Sequence, residues 1–120
     1  MHNRILLVED DAATRSGLFM LLARAGYDVV ATGSVPEGRL VLDHAPPDLL
    51  ITDVRLGAFN GLQLLARSLA GPIIPAIVTT GFPDAVLEAQ ARRFGATFLR
   101  KPIEPTGFLT LVKELLRDGS

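Results

Sequence analysis

Ile5-Leu6-Leu7-Val8-Glu9-Asp10-Asp11 is four apolar residues followed directly by three acids. An unbroken apolar run of that length describes a strand covered on both faces, and such strands belong to parallel sheets held between layers of helix. Working outward, the signature recurs. Leu49 to Thr52 ends at Asp53, Ala76 to Thr79 ends at Thr80, Thr97 to Leu99 is followed by Arg100 and Lys101, and Tyr27 to Ala31 supplies a fifth run. The segments between these runs have helical spacing. Leu18, Leu21, Leu22 and Ala25 fall on one face of a helix predicted over Ala12 to Arg24 and stopped by Gly26. A second helix is predicted over Pro36 to Asp43, ended by Ala45, Pro46 and Pro47; a third follows Asn60-Gly61, with Leu62, Leu65 and Leu69 on one side. Pro83 and Asp84 suit the first turn of a fourth that ends near Phe94-Gly95, and Phe108, Leu111 and Leu115 stripe a fifth reaching Arg117.

Strict alternation of five strands with five helices predicts an α/β fold: a five-stranded parallel sheet of order 2-1-3-4-5, flavodoxin-like, with helices on both faces and right-handed crossovers. Its 120 residues, 48% of them apolar, suffice for one domain over 1–120, without internal repeat or linker. Twelve basic against thirteen acidic residues leave a net charge of −1, which signals neither a nucleic-acid surface nor a polybasic membrane patch. The absence of cysteine excludes thiol nucleophiles, disulfides and thiolate metal sites. No apolar run approaches a membrane span or a signal peptide, so a soluble, cytoplasmic domain is expected.

In sheets of this kind the ligand site lies outside the carboxyl ends of the strands, where the strand order reverses. Those ends carry Glu9 and Asp10, Asp53, Thr80 and Lys101. Singly, each has a plain structural explanation as a helix cap, a backbone partner or a solvated charge. Jointly they make a site. Carboxylates crowded at one sheet edge repel one another unless cations intervene, and hard oxygen donors without histidine or thiol suit Mg²⁺. Ten of the twelve basic residues are Arg, so Lys101, one of only two lysines, is a candidate for a compact ammonium aimed at an oxyanion. A carboxylate at Asp53 so surrounded can act as a nucleophile toward phosphorus, with Thr80 and Lys101 neutralising the transferred group.

These residues resemble the receiver domains of two-component response regulators over essentially the whole chain. Ile5 to Asp11 resembles the first strand with its acid pair, and Asp48-Leu49-Leu50-Ile51-Thr52-Asp53 the third strand ending in the phosphoacceptor. Asn60-Gly61 closes the following loop, Pro75 to Gly81 resembles the fourth strand with its switch threonine, and Gly95 to Pro102 the fifth with its Lys-Pro end. The resemblance implies a phosphorelay switch in which Asp53 accepts a phosphoryl group in an Mg²⁺-dependent reaction and the domain catalyses only its own phosphorylation and dephosphorylation. The metal would be held by Asp10, Asp53 and the backbone carbonyl of Arg55, and by Glu9 through water. Thr80 and Lys101 would hold phosphoryl oxygens, Phe98 would be the aromatic switch, and the Lys101-Pro102 bond would be cis. Arg55 and Phe82 would border the path of the hydrolytic water and lengthen the life of the phosphorylated state. The implied partners are a sensor histidine kinase or a histidine phosphotransfer protein. An output domain or partner protein would dock at the face formed by helix 4, strand 5 and helix 5, and the resemblance admits a phosphorylation-dependent homodimer. No nucleic acid or membrane would be touched by this domain itself, and no output domain lies within it.

Gly57 stands where the family commonly has proline, which loosens the loop from Arg55 to Asn60. Phe98 replaces a frequent tyrosine and removes a hydroxyl. His2 and His44 lack the setting of a phosphotransfer histidine, and Arg92-Arg93 reads as a solvated helix face. Two other readings compete. A hydrolase of the haloacid dehalogenase type needs Asp-x-Asp after the first strand, whereas Glu9-Asp10-Asp11 puts Glu at the nucleophile position; turnover of a phosphomonoester discriminates it. A phosphate-independent scaffold of the same fold is discriminated by unchanged partner binding after Asp53→Asn.

Overall fold

The computed structural model describes residues 3–56, 59–68, 74–82 and 84–118, with the backbone alone at 55–56, 59–60, 68 and 118. In chain order the elements are β1 (Arg4–Val8), α1 (Ala12–Arg24), β2 (Asp28–Thr32), α2 (Val35–His44), β3 (Leu49–Asp53), β4 (Arg55–Leu56), β5 (Phe59–Asn60), α3 (Leu62–Ser68), β6 (Ala76–Thr80), α4 (Ala85–Arg93), β7 (Thr97–Arg100) and α5 (Pro105–Asp118). The main sheet is parallel throughout, in the order β2-β1-β3-β6-β7. That is the expected 2-1-3-4-5 once the added pair of two-residue strands, β4 and β5, is set aside.

Period-two alternation along β1 sends Leu6 and Val8 into one core and Ile5 and Leu7 into the other. The first core is closed by Leu42 of α2, Leu64 and Leu65 of α3 and Ala91 of α4; the second by Leu18 and Leu22 of α1 with Phe108, Val112 and Leu116 of α5. Burial on both faces is what the three central strands need, and β1, β3 and β6 are buried almost throughout. The two edge strands are not. β2 alternates between exposed and half-buried, and β7 is half-buried along most of its length, because each has a neighbour on one side only.

Local chemistry sets the element boundaries. Asp11 caps α1, accepting from the Thr14 N–H (2.9 Å) and hydroxyl (2.6 Å), so only two of the three opening acids remain for other work. Ser34 caps α2 in reciprocal contact with Glu37, and Asp84 caps α4 through the N–H groups of Val86 and Leu87. Gly26 (φ 97°) and Gly95 (φ 79°) take the left-handed turn that ends α1 and α4. The run expected to begin at Tyr27 starts one residue later, since the Tyr27 N–H is spent on Leu22 O (3.2 Å) in closing α1. Ala25 is exposed at that cap, so the buried face of α1 stops at Leu22. On α5 the buried line is Phe108, Val112 and Leu116, with Leu111 and Leu115 flanking it. Leu69, Pro83, Gly57 and His2 lie outside the described residues.

Candidate functional site

The carboxyl ends of β1, β3, β6 and β7 form one edge, and hydrogen bonds beyond the last ladder rungs hold it in register. Glu9 N–H donates to Thr32 O (3.0 Å), Val54 N–H to Thr79 O (3.0 Å) and Lys101 N–H to Thr80 O (2.8 Å). Parallel register therefore delivers Glu9, Asp10 and Asp53 together, with ligand oxygens within 4.8 Å of one another. Glu9 is 1% and Asp53 8% exposed, so both carboxylates are largely withdrawn from water, while Asp10 is at the surface.

Lys101 reaches into this cluster from 92 residues along the chain. Its ammonium donates to Glu9 Oε1 (2.5 Å) and to Asp53 Oδ2 (2.9 Å). Burial opposes the charge on Lys101, but its bonds to the Glu9 and Asp53 carboxylates outweigh it and hold the group protonated above its ordinary range. Burial pushes the Glu9 carboxyl up, against the pull of Lys101 and of the Asp11 N–H, which donates to Glu9 Oε2 (3.2 Å). Three carboxyl groups meet one bridging ammonium, a surplus of acid at the edge. An all-oxygen donor set with that surplus fits a hard divalent cation such as Mg²⁺, which takes one or two carboxylates and keeps several waters.

Thr80 is 2% exposed, and its hydroxyl is engaged in its own turn, donating to Phe82 O (3.0 Å) and accepting from Phe82 N–H (3.2 Å). Phe82 itself is 65% exposed at the rim. Phe98 is half-buried on β7 beside Val78 and packs against the core under α2, α3 and α4. The Lys101-Pro102 bond is cis, as expected. The backbone of Arg55 opens the β4-β5 hairpin two residues past Asp53; its side chain lies outside the described residues. His44 closes α2 with Nδ1 2.9 Å from Leu40 O, and Arg92 pairs with Glu88 (2.9 Å) on an exposed face, so both keep structural roles.

Two further residues bear on the edge through contacts that the sequence does not show. Gly61 sits against the phosphoacceptor candidate: a Cβ there would lie 2.1 Å from Asp53 O and 2.8 Å from Thr52 Oγ1. Arg15, from the first turns of α1, donates from Nη1 to Glu9 O (2.9 Å), and its guanidinium lies over Gly33. The one hint in the sequence for Arg15 is its place five residues after Asp10, one turn into the helix that Asp11 starts.

The family model of the response regulator receiver domain matches residues 5–113. The chain belongs to that family. Among curated relatives, the receiver domain is 33% identical over 120 residues to the transcriptional regulatory protein GlrR of Escherichia coli, covering 97% of this chain and 27% of GlrR. The chain thus spans about a quarter of that relative's length. Among solved structures, a CheY-like response regulator receiver domain protein from Methanospirillum hungatei superposes with a TM-score of 0.94 at 26% identity, covering 99% of this chain and 97% of that one. A response regulator from Burkholderia pseudomallei, described with a phosphorylated aspartic acid and a calcium ion, gives a TM-score of 0.82 at 26% identity over 89% of this chain and 64% of that one. Family and fold together set aside the haloacid dehalogenase reading. As a receiver domain the chain is a module of two-component signalling, in which phosphorylation of an aspartate is the general event. Among the described residues, no helix is long and apolar enough to cross a membrane.

Proposed function

We propose that Asp53 is the phosphoacceptor, that Asp10, Asp53 and the Arg55 carbonyl hold Mg²⁺ with Glu9 acting through water, and that Thr80 and Lys101 carry the phosphoryl oxygens. The observation that supports this most directly is the Lys101 ammonium 2.9 Å from Asp53 Oδ2 at a buried strand end, with two further carboxylates alongside. A bound Mg²⁺ supplies positive charge to the phosphoryl oxygens. In the transfer, an Asp53 carboxylate oxygen forms the new bond to phosphorus as the bond to the donor's histidine nitrogen breaks. Lys101 stays at the strand end to neutralise the group, which brings about two negative charges. The Thr80 hydroxyl has one proton and donates to a phosphoryl oxygen only by giving up its bond to Phe82 O, which frees the start of the β6–α4 loop to move. That motion, with Phe98 turning inward on β7, alters the face of α4, β7 and α5 where an output domain, a partner or a second copy docks. Phe82, exposed at the rim beside Thr80, borders the water's approach and slows hydrolysis.

The phosphodonor, a sensor histidine kinase or a histidine phosphotransfer protein, docks beside this edge. The apolar groove between α1 and the segment after β7, lined by Gly17, Leu18, Leu21, Pro102 and Ile103, opens next to Lys101 and supports that placement. One domain over 1–120, in the cytoplasm where such donors act, completes the reading. The test is intact mass after incubation with acetyl phosphate. One phosphoryl group is expected in Mg²⁺, none in EDTA, and none on Asp53→Asn. A full-stoichiometry acyl phosphate on Asp53→Asn, or normal phosphorylation in EDTA, overturns the assignment.

A further inference from the structure

We propose that Arg15 is a positioning residue for the acid pair: it fixes the Glu9–Asp10 peptide, and so aligns Asp10 for the divalent cation, while Gly33 is kept free of a side chain to seat its guanidinium. The inference rests on the metal reading above. The backbone is held on either side of the Glu9 Cα, the Val8–Glu9 peptide by β2 and the Glu9–Asp10 peptide by Arg15. Glu9 N–H is bound to Thr32 O (3.0 Å) at the end of β2, and Glu9 O receives Arg15 Nη1 (2.9 Å) from α1. Because Glu9 O belongs to the peptide plane that leads into Asp10, the Arg15 bond sets the direction in which Asp10 leaves the strand. Asp10 itself lies at the surface.

Arg15 is itself anchored, its N–H bonded to Asp11 O (2.9 Å) in the first turn that Asp11 caps. Strand end, cap and guanidinium form one closed unit. Gly33 completes it. A Cβ there would stand 2.9 Å from Arg15 Nη1, 3.6 Å from its Cζ and 4.0 Å from Glu9 O, in the space that the guanidinium occupies. The Gly33 backbone is not in the left-handed region that favours glycine, so the neighbour, and not the local turn, is what asks for the missing side chain.

Charge alone predicts the opposite of positioning. A cation beside three carboxylates repels Mg²⁺, so an arginine acting only as a charge would, on removal, tighten metal binding. An arginine that holds a ligand in place loosens binding on removal, as partners behind metal ligands do, by about tenfold or more. The sign separates the two roles.

The experiment is calorimetric titration of Mg²⁺ alone, without phosphodonor, into the wild-type protein and into Arg15→Gln, Arg15→Lys, Gly33→Ala and the double variant Arg15→Gln/Gly33→Ala, each first shown to be folded by its unfolding transition. Arg15→Gln is expected to weaken Mg²⁺ about tenfold. Arg15→Lys should recover part of that loss through a single N–H donor. Gly33→Ala should weaken binding in the same direction although every charge is retained, and the double variant should be no weaker than Arg15→Gln, since both act through one contact. If Arg15→Gln does not fold, Gly33→Ala decides. Equal or tighter binding by folded Arg15→Gln, or unchanged binding by Gly33→Ala, overturns the inference while leaving the metal reading intact. A wild-type protein that binds no Mg²⁺ overturns both.

Discussion

Replacing Gly61 by alanine adds one methyl group against the end of β3, the strand that carries the proposed phosphoacceptor Asp53. The new carbon would stand 2.1 Å from Asp53 O, where ordinary contact begins at 3.4 Å, so one side must retreat by more than an ångström. Neither side is free to do so. Asp53 is in the β3–β6 ladder opposite Thr79, its carbonyl accepts the Thr52 hydroxyl (3.0 Å), and Gly61 N–H is bound to Val54 O (2.8 Å). A clash between two fixed backbones belongs at the upper end of overpacking costs, about 2–3 kcal/mol. For a domain of this size that is a fall in Tm of roughly 8–12 °C. A shift of the Asp53 backbone by about 1 Å should also slow phosphorylation by acetyl phosphate by about 100-fold at a temperature where the variant is folded. Gly17→Ala is the matched control. Gly17 lies exposed in α1 with nothing within 4 Å of a Cβ, so the same methyl should stabilise by about 0.5–1 kcal/mol. Far-ultraviolet circular dichroism through the thermal transition, with the phosphorylation rate followed by intact mass, reads both effects. A Gly61→Ala protein with a Tm within about 2 °C of the parent and a rate within about twofold would refute the reasoning, since effects that small fall below the overpacking range.

Lys101→Arg should still fold and accept phosphate, yet fail to change partner affinity on phosphorylation, because a planar guanidinium cannot take the place of an ammonium set between Glu9 and Asp53; phosphorylation-dependent binding equal to the parent's would count against it. Glu104 is held below its ordinary value near 4.5 by the Gly107 and Thr106 N–H groups at the start of α5. A depressed carboxyl contributes stability that is present above the unfolded value and lost as pH falls through the native one, so Glu104→Gln should flatten the acid limb of the urea midpoint below about pH 4.5. Gly38→Val places a branched side chain where a Cβ already meets Val8 Cγ2 at 2.9 Å and Leu64 Cδ1 at 3.4 Å, and equilibrium unfolding should show a loss of about 2–3 kcal/mol. Phe82→Ala should shorten the half-life of phosphorylated protein by opening the exposed rim beside Thr80, measured as decay of the phosphorylated mass; an unchanged or longer half-life would remove Phe82 from the path of water.

The sequence by itself determined the order of elements, the parallel sheet and the strand ends at which acids, threonine and lysine gather. Each of those is a local signal: an unbroken apolar run such as Leu49 to Thr52 needs cover on both faces wherever it sits, and the residue after it emerges at the carboxyl edge. The predicted order 2-1-3-4-5 already puts Tyr27 to Ala31 and Thr97 to Leu99 at the edges, but only the tertiary structure decided how far each is covered: β2 and β7 stay partly open where β1, β3 and β6 are buried. The same holds within the site. The bridge from Lys101 to Glu9 joins residues 92 positions apart and exists because parallel register brings four strand ends level. Gly26 and Gly95 announce themselves as helix stops through a left-handed backbone that the chain's local course requires. Gly33 and Gly61 carry no such mark, being glycine on account of what stands opposite them, the Arg15 guanidinium and the Asp53 carbonyl. A need imposed by a through-space neighbour leaves no period and no spacing in the sequence, and so became visible only when the strands were paired.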